Sequence, residues 1–267
     1  MNKGFLKWAG GKRKILPEVL EAVGEVRGRY FEPFLGSGVV AFNVEASRYV
    51  LTDVNPDLIN VYKQINAYGH RFIHFCEPYF SGRYADEGSY YEIRAMFNEE
   101  NDDLKKAIYF VYLNRHAFNG LCRYNAKGYF NVPIGRYKTI YFPEKEIMEF
   151  YNRSRKYKIF ASTFDEALKI LDKDDVVYCD PPYVPLSDTA YFTEYNKGGF
   201  GVEQQIKLAE VAEKSNCRFI ISNHDLEFTR ELYKNADDIK ELRVQRTVGA
   251  SADSRKQVNE LLAIYNK

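Results

Sequence analysis

DDVVYCDPPYVPLS, residues 174–187, is a short apolar run that stops at an acid, two prolines and a tyrosine. Val176 to Cys179 reads as a buried strand. Pro181 and Pro182 end strand pairing and fix the backbone that follows. An ordinary turn needs neither Asp180 before the prolines nor Tyr183 after them. The strand is one of several. "YFEPF" and "RYVLTD" read as strands upstream, with "LGSG" a turn and Val39 to Ala46 a helix between them. "NPDLINVYKQI" then reads as a helix capped by Asn55, with Pro56 at its first position. Strand–helix–strand order implies parallel pairing in an α/β sheet.

Downstream of about Tyr68 the alternation lapses. Tyr68 to Asn114 has helical character and no clear strand, and Phe118 to Lys138 reads as a hairpin-like loop. A helix follows near Glu144 to Asn152. Alternation then resumes with "KIFAS", a helix around Glu166 to Leu171, and "VVYCD". After these come a helix over Glu203 to Lys214, the strand "RFIISN" and a helix over Glu227 to Tyr233. "KELRVQRT" and "VNELLAIY" are the last two strands. No helix separates them, so they are expected to be antiparallel. The sequence therefore predicts an α/β domain with a mostly parallel sheet over residues 1–60 and 144–267. Residues 61–143 form an insertion of helices and a hairpin.

Composition narrows the partners. The 267 residues are 45% hydrophobic and 28% charged, with a net charge of +1, so a nucleic-acid surface has to be local. Leu104 to Pro143 supplies one: it has no Asp or Glu, seven Lys or Arg and ten Tyr or Phe. The four cysteines have no metal-ligand spacing, which fits reduced thiols and a cytoplasmic setting without a structural metal. The first residues carry no apolar signal core, and no run approaches the roughly 18 apolar residues of a membrane span.

Two clusters carry chemistry. Gly36-Ser37-Gly38-Val39-Val40-Ala41 fits a dinucleotide-type glycine turn, and Asp53 at the end of the next strand can accept from ribose hydroxyls. These residues imply an adenosine-containing cofactor without choosing between NAD and S-adenosylmethionine. The second cluster is Asp180-Pro181-Pro182-Tyr183. The lone pair of an exocyclic amino group such as adenine's is delocalised into the ring. Methylating it requires acceptors aimed at its N–H bonds. The Asp180 carboxylate and the rigid Pro181 carbonyl fit that task, and Tyr183 offers a stacking face to an extruded base.

With these residues in view, the sequence resembles the Dam-type DNA N6-adenine methyltransferases, a bacterial and phage-borne family that methylates adenine in GATC. The resemblance runs through nearly the whole chain in family order: "FLKWAGGK", "FEPFLGSG", "LTDVNPDLI", "YLNRHAFNGLCRYNAKGYFNVPIGRYK", "VVYCDPPYVPLS", "ISNHD" and "SRKQVNELLAIY". It implies a class I methyltransferase fold, S-adenosylmethionine as donor, S-adenosylhomocysteine as product and double-stranded DNA as partner. Trp8, Lys12, Asp53 and Asp180 match cofactor-binding positions, Phe34, Gly36 and Gly38 match the glycine loop, and Phe164 is a candidate for the cofactor's adenine. The insertion matches the target-recognition region. There Arg123 is the main base-reading candidate, Leu121, Pro133 and Tyr137 support it, and Phe118 with Asn119 sits at the stack wedge. Lys7 is placed to contact the first guanine. Phe118 departs from the tyrosine common among relatives, which removes a hydroxyl but keeps a ring.

Other readings compete. A related amino methyltransferase with a different DNA site or an RNA target would share both clusters. A DNA-binding regulator without turnover would not need an intact DPPY, and a nicotinamide dehydrogenase would leave it unexplained.

Overall fold

The computed structural model describes residues 1–184, 200–244 and 258–266. The strands are β1 (Arg29–Glu32), β2 (Arg48–Asp53), β3 (Tyr157–Ala161), β4 (Val176–Cys179), β5 (Arg218–His224), β6 (Asp238–Val244) and β7 (Val258–Tyr265). They lie in one seven-stranded sheet of order β3-β2-β1-β4-β5-β7-β6. β1 runs parallel to β2 and β4, and β4 runs parallel to β5. β7 is antiparallel to both β5 and β6, as the sequence predicts for the final pair. The central strands are apolar on both faces, as a parallel strand covered on both sides must be; all four residues of β4 are buried.

The chain divides into two compact units. The first comprises Met1–Lys12, Gly36–Asn43 and Asp53–Ala161. It contains α2 (Pro56–Tyr68), α3 (His70–Cys76), α4 (Glu87–Glu99), α5 (Asp103–His116) and α6 (Glu144–Arg153). Asn55 caps α2 as expected, its side chain accepting from Asp57 N at 3.0 Å and Leu58 N at 3.2 Å. Every residue of α5 from Ala107 to Asn114 is buried, which marks it as a central helix. Phe5, Phe42, Tyr62, Phe150 and Tyr157 form a contiguous aromatic core, with Phe5 and Tyr62 edge to face at 5.3 Å. The excess of Tyr and Phe is thus largely structural here.

The second unit comprises Arg13–Leu35, Val44–Thr52 and Ser162–Lys267. It holds α1 (Leu16–Val23), α7 (Phe164–Ala167), α8 (Val202–Lys214) and α9 (Glu227–Leu232). Its sheet registers place Asp180 immediately after β4, beside the last residues of β5, where Cys179 pairs with Ile221.

Two expectations need correction. Val39 to Ala46 is a series of turns and not a helix. Its carbonyls are captured by side chains: Asn43 Nδ2 donates to Val39 O, the Arg153 guanidinium to Phe42 O, and the Tyr49 hydroxyl to Val44 O. Side-chain donors in those places displace the helical ladder. The helix expected over Glu166 to Leu171 is a single α turn at Phe164–Ala167 continued by a 3-10 turn at Leu168–Ile170. The link 248–257 and residues 185–187 of the opening stretch lie outside the described residues.

Candidate active site

The glycine turn and its acid belong to the first unit. Asp53 ends β2 with both carboxylate oxygens engaged by backbone: Oδ2 accepts from Gly36 N at 2.9 Å and Oδ1 from Asn55 N at 3.0 Å. Burial raises the Asp53 pKa above the usual carboxylate value, against the opposing pull of the Asn55, Gly36 and Val54 N–H groups. Each oxygen still has a second lone pair for an incoming hydroxyl. Gly36 has φ +48°, and a Cβ there would lie 2.8 Å from the Trp8 indole. Trp8 therefore packs directly on the turn. The Tyr62 hydroxyl holds Gly36 O at 2.8 Å. Gly38 has φ +67°, and a Cβ there would meet the Phe42 ring at 2.3 Å. Lys12 is buried, and its ammonium donates to Gly10 O at 2.6 Å.

The same unit carries the recognition candidates. Antiparallel bridges Ala117–Ile134 and Tyr124–Phe130 confirm the hairpin-like shape. Asn98 of α4 anchors it with reciprocal bonds to Phe130 N and O, and Tyr90 and Arg94 both donate to Val132 O. Phe118 and Asn119 are exposed at the start of the loop, and Asn119 has φ +52°. Phe118 N donates to Pro133 O at 2.9 Å, and Leu121 N to Phe118 O at 3.1 Å. Arg123 is exposed, its Nε held by Asn131 Oδ1 at 2.8 Å. Lys7 lies beside this loop: its ammonium donates to Arg115 O at 2.9 Å and sits 3.7 Å from the Tyr137 ring centroid. Burial, and then the charge of Arg115, lower the Lys7 pKa to about 8. Tyr137 in turn donates to Ala117 O.

The DPPY segment belongs to the second unit. Ser222 of β5 donates to Asp180 Oδ1 at 3.0 Å and lies 3.1 Å from the buried Tyr178 hydroxyl. Gln205 of α8 donates to Pro182 O at 2.8 Å. Pro181 is buried, and its carbonyl accepts no hydrogen bond from the described residues. Tyr183 donates to Glu260 Oε2 at 2.9 Å, and its ring meets His224 edge to face at 4.8 Å. Burial and the neighbouring carboxylates Asp180 and Glu260 push its phenol well above the ordinary value. Phe34 and Phe164 stack at 5.7 Å, and Phe200 closes the trio at 5.2 Å from Phe34.

Twelve of the candidates thus gather in the first unit: Lys7, Trp8, Lys12, Gly36, Gly38, Asp53, Phe118, Asn119, Leu121, Arg123, Pro133 and Tyr137. Phe34, Phe164, Asp180, Pro181 and Tyr183 gather in the second. Sequence reasoning did not single out Phe200, Gln205, Ser222, His224 or Glu260. "ISNHD" held two of them, and Glu260 stands out as a charge inside the apolar run of β7. No group of three or more His, Cys, Asp or Glu among the described residues is arranged to hold a metal ion. No helix among them is long and apolar enough to cross a membrane.

Residues 8–248 match the family model of the D12 class N6 adenine-specific DNA methyltransferases. The chain is 41% identical over 272 residues to the DNA adenine methylase of Haemophilus influenzae, covering 99% of this chain and 94% of that protein. It is 41% identical over 269 residues to the DNA adenine methylase of Escherichia coli K12, covering 99% and 95%. The Vibrio cholerae enzyme of the same name is 40% identical over 268 residues, covering 99% and 96%.

Proposed function

The chain belongs to the D12 class of N6 adenine-specific DNA methyltransferases, and on that premise we propose that it draws methyl groups from S-adenosylmethionine and places them on adenine N6 within GATC. Methylation of adenine in DNA follows from the family.

The residues present fit the donor. Asp53 presents anchored carboxylate oxygens with lone pairs to spare, the chemistry that ribose hydroxyls require. Trp8 packs on the glycine turn at Gly36, the buried Lys12 follows it with its ammonium on Gly10 O, and Phe34 and Phe164 offer aromatic faces suited to a purine. Each of these residues, and Asp180 likewise, is a candidate contact for S-adenosylmethionine. When bound, that molecule supplies a methyl group activated by a sulfonium sulfur.

The protein's own contribution is to the nucleophile. Asp180 Oδ and Pro181 O accept the two N–H bonds of the extruded adenine's amino group. They stabilise the positive charge that develops on nitrogen, and Asp180 is placed to accept the departing proton. Two prolines fix where the carbonyl points, and Ser222 fixes the carboxylate. Tyr183 supplies the stacking face. The observation that carries this reading is an Asp180 carboxylate anchored by Ser222, followed at once by a Pro181 carbonyl that accepts nothing from the described residues.

Within residues 61–143, Arg123 reads a guanine edge with its terminal nitrogens while Asn131 holds Nε. Lys7 approaches the first guanine, Phe118 wedges into the stack beside Asn119, and Leu121, Pro133 and Tyr137 shape the contact surface. Incubation with tritiated S-adenosylmethionine and defined duplexes tests the proposal. Label should enter GATC duplexes at adenine N6 and fall away on each single-substituted duplex. Equal labelling of altered duplexes would replace GATC with another site, and preferential labelling of RNA would replace the target.

A further inference from the structure

The reading of Tyr183 as the stacking face leaves open what orients its ring. Glu260 lies on β7 directly opposite His224 of β5 in the antiparallel register. This cross-strand pair meets Tyr183 at two points. Glu260 Oε2 accepts from the phenol at 2.9 Å, and the His224 ring packs against the tyrosine ring at 4.8 Å with a 76° interplanar angle. His224 is itself fixed, because its Nδ1 lies 2.8 Å from Val184 O. A carbonyl only accepts, so Nδ1 carries the proton. Glu260 is 2% exposed. A carboxylate at that depth is costly to keep on an otherwise apolar strand unless its oxygens are engaged. A hydrogen bond to a carboxyl oxygen gives direction to the ring that carries the donor.

We propose that Glu260 is a positioning residue for catalysis: it holds the Tyr183 ring in the orientation that receives the extruded adenine, with His224 as the side wall. The inference rests on the assignment of Tyr183 as the stacking face.

The test compares wild type with Tyr183→Ala, Tyr183→Phe, Glu260→Gln, Glu260→Ala and the Tyr183→Phe/Glu260→Ala double variant. Methyl transfer is followed on a GATC duplex, and base extrusion by the fluorescence of 2-aminopurine at the target position. Tyr183→Ala tests the stacking assignment alone, and near-wild-type turnover in that variant would remove it. If the assignment stands, Tyr183→Phe and Glu260→Ala should each lower kcat about tenfold, leave KM for DNA within about twofold, and reduce the 2-aminopurine signal alike. The double variant should be no slower than the slower single variant, because both remove the Tyr183–Glu260 bond. Glu260→Gln retains an acceptor and should keep most of the activity. Wild-type kcat in Tyr183→Phe, or multiplicative losses in the double variant, would overturn the proposal. Tyr183→Phe removes one oxygen from a half-buried ring, so its outcome decides the question even if Glu260→Ala fails to fold.

Discussion

Ser222 Oγ donates to Asp180 Oδ1 at 3.0 Å, across 42 residues of sequence. The neighbouring strand therefore helps to aim the carboxylate that follows β4. The same serine oxygen lies 3.1 Å from the Tyr178 hydroxyl, so a short buried chain runs from Tyr178 through Ser222 to Asp180. Ser222→Ala removes one hydrogen bond that orients the Asp180 carboxylate. Turnover is expected to fall about tenfold, and stability by about 1–2 kcal/mol, because the buried tyrosine hydroxyl loses its partner. Single-turnover rates and urea denaturation check the two effects separately.

Asp53→Ala should weaken S-adenosylmethionine binding at least about tenfold, the scale of hydrogen bonds to a charged acceptor, while DNA affinity changes little. Burial raises the Asp53 pKa, so its ionised form is lost at higher pH than for an ordinary carboxylate. The ionised form is the one that accepts ribose hydroxyls. Cofactor affinity should therefore hold at neutral pH and decline as pH falls through the raised pKa. Calorimetry with cofactor alone, repeated across pH, measures both. Unchanged affinity in the variant would remove Asp53 from the ribose site.

Lys7 gives a pH dependence of the opposite sense. Its pKa is lowered to about 8 by burial and by Arg115. The charged form predominates at pH 7 and the neutral form at pH 9. DNA affinity should weaken as pH rises through about 8, well below the ordinary lysine range. Lys7→Met should bind more weakly at pH 7 and show no such inflection. Binding titrations at fixed salt are required, since phosphate contacts make affinity salt-dependent.

Arg123→Ala should cost about 1–3 kcal/mol of discrimination at one base pair of the site. Lys127, exposed on the same loop, serves as the comparison, and its removal should weaken all sequences alike or not at all. Methylation rates on GATC and on each single-substituted duplex decide the matter. A uniform loss in Arg123→Ala would make it a phosphate contact.

The α/β order was legible because the central strands are continuous apolar runs between helical segments, and the antiparallel β6–β7 pair because the sequence between the two runs carries no helical pattern. Val39 to Ala46 misled because its carbonyls are claimed by Asn43, Tyr49 and Arg153, the last of them 111 residues from its acceptor. Composition within a short window carries no trace of such partners. The site divides in the same way. Asp180 and Pro181 announce themselves by chemistry in four consecutive letters. Gln205 and Ser222, which hold that segment, are separated from their partners by 23 and 42 residues and are ordinary polar residues locally, and Glu260, a charge in an apolar strand, lies 77 residues from its partner Tyr183. The basic, acid-free stretch 104–143 pointed to DNA, yet many of its aromatic residues serve packing: Tyr109, Phe110, Tyr112 and Phe130 are buried.

The central claim is that Asp180 and the Pro181 carbonyl activate the adenine amino group. It is tested most directly by single-turnover methyl transfer to a GATC duplex by Asp180→Ala, with N6-methyladenine quantified as product and folding checked by thermal denaturation. A folded variant that still binds DNA but transfers methyl at least about 100-fold more slowly is the predicted result. A folded variant with near-wild-type transfer would contradict it.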